Sequence, residues 1–175
     1  MTTKNSQTSQ VNFLQISGAR FEISRLPETT FYTEGIYFPT MVLPDITTGN
    51  PYQKLNYASS EIDFGRLAVE FKVDEKLKNF TEIFNWMVGL GFPENQTQYK
   101  ELKDTSKRNG GLRSDASIVI LSSSNNPVKE FVFRDMFPVS LGGLRFVTTS
   151  GDVEYQVATA VFSIRDFIIS DVVDN

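Results

Sequence analysis

Acidic side chains come close together at Glu61/Asp63, Asp74/Glu75 and Asp171/Asp174. Paired carboxylates cleave glycosidic bonds, one as acid and one as base or nucleophile, when a set distance in space separates them. Spacing along the chain does not supply that distance. Asp74/Glu75 reads more simply as a helix start, and the other pairs as surface acids. His and Cys are both absent from the 175 residues. That removes thiol nucleophiles, disulfides, the usual zinc sites and every His-based triad, along with the side chain best suited to proton transfer near neutral pH. The glycines at 110–111 and 142–143 match no phosphate-binding pattern. Asn79-Phe80-Thr81 and Asn95-Gln96-Thr97 match the glycosylation sequon, which has meaning only in a secreted chain. Trp86 offers a ring for ligand stacking, but its place at the inner edge of a helical stripe reads as core. No catalytic, cofactor-binding or metal-ligating set stands out, and the expectation is a protein that is not an enzyme and has no cofactor.

The elements that would position such residues are mostly strands, with one exception. Over 66–87 the apolar period changes from two to a helical one. Leu67, Val69, Phe71 and Val73 alternate with Arg66, Ala68, Glu70 and Lys72, which predicts a strand with one buried face. Asp74 stands where an N-cap belongs, and Leu77, Phe80, Phe84 and Met87 follow at helical spacing, with Ile83 widening the stripe. Gly89 and Gly91 close this helix and Pro93 prevents its return, which gives a helix over 75–89.

Elsewhere residues 19–26 alternate with Phe21 and Ile23 inward, and 29–60 read as a long hairpin turning at Thr47-Thr48-Gly49-Asn50-Pro51. Residues 116–121 make a mostly apolar strand. Phe131, Phe133 and Phe137 alternate with Val132 and Arg134 in another, which Pro138 breaks. A short strand over 144–149 and one long strand over 154–169 complete the β content, with Ala158, Ala160, Phe162 and Ile164 on one face of the last and Val157 and Val161 on the other, so that both faces read as buried. Residues 1–11 are polar and read as a mobile arm, 12–169 as a single β domain, and 170–175 as a frayed acidic tail.

Hydrophobic content of 40% with 22% charge is that of an ordinary globular domain, and 15 Phe with 6 Tyr favour strands. A net charge of −4 argues against nucleic acid held through its phosphates, but not against a surface that lets it pass. The N-terminus has no apolar h-region, and no apolar run nears the ~20 residues a membrane helix needs. The expectation is a soluble product of a reducing cytoplasm with no membrane partner. Residues 92–114 form a locally basic, aperiodic loop, with Lys100, Lys103, Lys107, Arg108 and Arg113 against Glu94, Glu101 and Asp104. A loop of that length is either solvated surface or a contact for a partner or a like subunit.

The order strand, long hairpin, Glu61-Ile62-Asp63-Phe64-Gly65, alternating strand and Asp74-capped helix ending in Asn85-Trp86 resembles the tail-tube proteins of contractile-tailed phages. Phe133-Arg134-Asp135-Met136-Phe137-Pro138-Val139-Ser140 resembles their strand that ends in a short aromatic-Pro step, and 152–164 their closing strand. The Phe13-Leu14-Gln15 start and the stretch from Trp86 to Tyr99 are most similar to virion proteins of marine and related phages. The likeness covers residues 12–168. It implies a small β-sandwich with one helix, six copies of which form a ring whose inner strands close into a β-barrel. Stacked rings then make the DNA conduit. The same fold serves as tube initiator, tube terminator and baseplate hub component. The polar N-terminal arm and the basic 92–114 stretch depart from the family pattern.

The fold class expected is therefore mainly β, sandwich- or barrel-like, with one amphipathic α-helix, and ring-forming. The function implied is a structural virion protein of the tail, assembled in the host cytoplasm. Its partners would be its own copies and sheath, baseplate or terminator proteins, with genomic DNA passing through. A conduit wall should be polar and neutral to negative, since a basic wall would retain phosphates. The hairpin and the strand near 128–137 are assigned to that wall, partly by resemblance. Glu34, Asp45, Gln53, Glu61 and Glu130 are the lining candidates, with Lys54 and Arg134 as the cations that would oppose the assignment. Lys100, Lys103, Lys107, Arg108 and Arg113 are the candidates for ring-to-ring contact. A reading from another class is a monomeric β-sandwich binding module, which would need exposed aromatics in a concave site.

Overall fold

A computed structural model describes residues 19–26, 29–30, 32–49, 51–91, 96–106, 112–146 and 155–171. Its strands are β1 (Ala19–Ile23), β2 (Thr33–Tyr37), β3 (Met41–Val42), β4 (Asp45–Gly49), β5 (Lys54–Ala58), β6 (Asp63–Phe64), β7 (Arg66–Lys72), β8 (Ser114–Leu121), β9 (Pro127–Leu141), β10 (Val157–Ser163) and β11 (Asp166–Asp171). Helices α1 (Lys78–Gly91) and α2 (Gln96–Ser106) lie between β7 and β8. No helix among the described residues is long and apolar enough to cross a membrane.

The alternation in β7 buries Leu67, Val69 and Phe71 completely. Antiparallel register sets Val69 beside Ala160 and Phe71 beside Ala158 of β10, so the inward faces of the two strands coincide. One path of pairing runs β1-β8-β9-β10-β7-β2, with β11 added on β9. The first half of β9 carries β8 and β11, and its second half carries β10. Phe21, Ile23, Ile118 and Phe133 from one side of this path join Leu67, Val69, Phe71 and Phe162 from the other in one core cluster. Helix α1 closes it with Ile83 and Trp86, whose ring lies 6.3 Å from that of Phe162. The Trp86 indole N–H donates to Leu112 O at 2.9 Å, so its one polar atom is satisfied inside the core.

The path through β9 departs from simple alternation. Phe131 and Phe133 face inward, but beyond Asp135 the buried residues are Met136 and Pro138, not Phe137. Asp135 has φ 53°, a left-handed bulge residue, and one extra residue moves every following side chain to the other face. Pro138 therefore does not break the strand. It pairs with Phe162 where the register shifts between Val161 and Phe162, a place where a missing N–H is tolerated. The strand read over 154–169 is two strands instead. After buried Ile164 the chain turns, with Arg165 N–H donating to Arg134 O at 3.1 Å, and β11 pairs with the other half of β9.

The helices bring three corrections. Asp74 caps a tight turn rather than the helix: Lys76 N–H donates to its Oδ2 at 3.3 Å and Leu77 N–H to its carbonyl at 2.8 Å. Leu77, at φ 56°, ends that turn, and α1 begins at Lys78. The buried stripe is Asn79, Ile83, Trp86 and Gly89, one step round from the one expected, and Phe84 is 52% exposed. Buried Asn79 sets the rotation, its amide donating to Lys72 O at 2.7 Å and accepting from Asp74 N–H at 3.2 Å. Finally, the expected loop over 92–114 contains a second helix, α2. Gly89 makes room for it inside α1, since a Cβ there would lie 2.9 Å from the Leu102 side chain. One apolar anchor, Leu102, on an otherwise polar segment left little periodic signal.

The hairpin runs further than expected. Pairing continues from β4–β5 through β3–β6 into β2–β7, so its returning arm includes the alternating strand β7. Gly65 lets the two arms approach where a Cβ would meet Thr40 O at 2.8 Å. Leu144–Phe146 form no strand; 147–149, the arm over 1–11 and residues 172–175 lie outside the described residues. The tail positions Ser170 and Asp171 belong to β11, where Asp171 pairs with Lys129.

Truncation on the two helix faces separates them. Ile83→Ala is expected to cost about 2–5 kcal/mol of stability and Phe84→Ala less than about 1. Denaturant unfolding of both variants measures the difference.

Candidate assembly site

Strands β4 and β5 are exposed at every residue, and their principal contacts are with each other. Their register sorts the side chains into two faces. Ile46 opposite Tyr57 and Thr48 opposite Leu55 make an apolar face, while Asp45, Thr47, Asn56 and Lys54 share the other. Thr47 Oγ1 donates to Asn56 Oδ1 across that polar face at 3.2 Å. Nearer the root, Met41, Val42, Leu43 and Ile62 are exposed as well. A projecting two-stranded ribbon with an apolar face in water is marginal alone and calls for a cover. Its root is held by rings: Phe38 lies 5.0 Å from Phe131 and 6.0 Å from Phe133, and Phe64 lies 5.7 Å from Phe167.

A second surface is the outward face of β1-β8-β9-β11. Register places Glu22, Ser117, Val132 and Ile168 in one row and Arg20, Val119, Glu130 and Ser170 in the next. Arg134 and Asp166 form a third, joined by two hydrogen bonds at 2.6 and 2.7 Å. With Asp115 at its end, this face carries four acids (Glu22, Asp115, Glu130, Asp166) against two cations (Arg20, Arg134), a formal −2. The hydrogen bonds from Arg134 hold the Asp166 carboxyl below its ordinary range, and the same contact raises Arg134 further above its own. Strands β1 and β11 each pair on one side only among the described residues, so both edges of this sheet are open.

The candidates of the sequence fall on different features. Glu130 and Arg134 share the outward sheet face. Asp45 and Lys54 sit at opposite ends of the polar ribbon face, with Gln53 in the turn and Glu61 exposed between β5 and β6. Glu34 lies apart, 3.6 Å from Lys72 across β2 and β7. Lys100 and Lys103 are exposed on α2, and the Arg113 guanidinium sits 5.6 Å from the Phe137 ring. Lys107 and Arg108 lie outside the described residues. Asp166, which neutralises Arg134, was not singled out from the sequence; only the β9–β11 register brings the two together. Among the described residues no group of three metal-ligating side chains occurs.

No family model and no curated protein matches the chain. Solved structures do. At 13% identity and a TM-score of 0.64, 98% of the chain aligns with the whole of a chain from the PVC sheath–tube complex of an extracellular contractile injection system in its extended state. A chain of the anti-feeding prophage tube-terminating cap matches at 12% identity and a TM-score of 0.65, again over 98% of this chain and 100% of that one. The chain has the tail-tube fold. A chain of the PVC sheath/tube terminator shares it at 11% identity and a TM-score of 0.62, over 92% of this chain and 99% of that one. The matched chains come from tube, cap and terminator assemblies.

The Arg134–Asp166 pair gives stability that depends on pH. With its folded pKa lowered, Asp166 contributes fully above the ordinary carboxylate pKa of about 4, and the contribution is lost as pH falls through the lowered value. Thermal melting between about pH 5 and pH 2.5 should therefore fall more steeply in the native chain than in Asp166→Asn.

Proposed function

We propose that the chain is a ring subunit of a contractile-type tail, in which six copies close a ring and stacked rings form the tube. The observation that carries this reading is the amphipathic ribbon of β4 and β5, apolar on one face and exposed at every residue of both strands. A monomer leaves that face in water, while neighbouring copies would cover it. The full-length likeness to chains of a sheath–tube complex and a tube-terminating cap supports the same reading.

The open edges β1 and β11 fit ring closure, since joining one copy's β1 to the next copy's β11 would remove both edges. The wall would then be the outward face of β1-β8-β9-β11. Its excess of acid and its internally paired Arg134 suit a surface that DNA slides past without being held. Asp45, Lys54, Gln53 and Glu61 would line the tube only where the ribbon turns its polar face inward, and Lys100 and Lys103 of α2 would meet neighbouring rings. Sheath, baseplate or terminator proteins are the further partners, in a virion tail or a released injection particle built in the host cytoplasm.

Electron microscopy of the purified protein tests the proposal. Tubes identify a tube-body subunit and isolated rings a terminator or initiator. A monomer at high concentration overturns the ring reading in favour of a binding module. Within the ring reading, Ile46→Asp with Tyr57→Asp should abolish rings and leave the melting temperature of the monomer within about 2 °C, because neither side chain touches the core. Hydrogen exchange across 41–58 should slow on assembly in the native chain; equal rates in both states would contradict it.

A further inference from the structure

An apolar cavity of about 590 Å³ opens where the β2–β7 ladder ends, lined by Tyr32, Val73, Phe146 and Tyr155, with the carboxylates of Asp74 and Glu75 beside it. Phe146 and Tyr155 are 76% and 75% exposed, so two aromatic side chains stand in water around a concavity. Lys72 also lines the cavity, where its ammonium pairs with Glu34 at 3.6 Å and lies 5.7 Å from the Tyr155 ring. At the far end of the same ribbon, in the turn between β4 and β5, Tyr52 is 96% exposed and followed by Gln53 and Lys54.

The turn presents an aromatic ring and a cation, and the cavity presents an aromatic lining and two acids against one cation that Glu34 already engages. The 17 residues from Thr33 to Gly49 would span about 55 Å if fully extended, so turn and cavity lie at opposite ends of the hairpin within one chain. Complementary patches on opposite ends of one chain make a heterologous, head-to-tail contact, which repeats from copy to copy.

We infer that the turn 51–54 of one copy seats Tyr52 in this cavity of another, with Lys54 facing Asp74 and Glu75. The inference rests on the ring reading and names the contact that would propagate it. It leaves the apolar face of β4–β5 to other neighbours.

The chain has no cysteine, so introduced pairs report without background. Gln53→Cys with Glu75→Cys keeps Tyr52 and the aromatic lining, and a disulfide forms only when the two Cα atoms come within about 7 Å. Oxidised after assembly, the double variant should give a ladder of covalent multimers on a non-reducing gel. Either single variant should stop at dimers, and adding Tyr52→Ala to the pair should remove the ladder. Rings or tubes seen by microscopy without a ladder overturn this contact and leave the ring reading standing. A native chain that stays monomeric overturns both.

Discussion

The fold depends on the change of partner in β9. Up to Arg134 this strand lies between β8 and β11, and beyond Asp135 it lies beside β10. A left-handed Asp135 costs on the order of 1–3 kcal/mol and persists only where its surroundings fix it. Here they do. Asp135 N–H donates to Asp115 Oδ1 at 2.9 Å, its carboxylate pairs with Arg165, and Arg165 N–H holds the Arg134 carbonyl. The bulge turns Met136 and Pro138 inward after Phe131 and Phe133, so both halves of one strand feed the same core. Arg134 and Asp166, on the surface beside it, pair across the strands this corner brings together.

The sequence was most legible where one face of a strand is buried without interruption. Leu67, Val69 and Phe71, and Ala158, Ala160 and Phe162, are inward in the structure as their period-two spacing implies. Legibility failed where a single residue changes the count. Nothing in the Phe133-Arg134-Asp135-Met136 string marks the bulge, because a left-handed Asp is defined by the backbone around it. The helix face was misplaced for a related reason. Asn79 is buried through hydrogen bonds to residues 72 and 74, which a hydrophobic pattern does not register, while Phe84 supplied an apolar signal from the outer surface. In the candidate site, Glu130 and Arg134 share a face because they stand four apart in one strand before the bulge. Their neighbours Ser170 and Asp166 come from long-range register, which single-chain spacing does not encode.

The five rings of Phe38, Phe64, Phe131, Phe133 and Phe167 join the two parts of the molecule. They tie the start of the projecting ribbon to strands β9 and β11, which also form the charged outward face. Packed aromatic pairs of this kind add about 0.5–1.5 kcal/mol each beyond the area they bury. Load placed on the ribbon therefore passes into the same strands that carry the sheet edge.

A ribbon with its turn at one end and its root at the other has a direction. Copies joined turn to cavity, as inferred above, would build an object whose two ends differ chemically: one would show aromatic-and-cationic turns, and the other ring-lined hollows with two acids against one cation. Such a polymer would have polarity in the sense that a filament does. Nucleation and termination would then call for two different proteins, each shaped to one half of the contact, and growth would be open to regulation at one tip while the other is sealed.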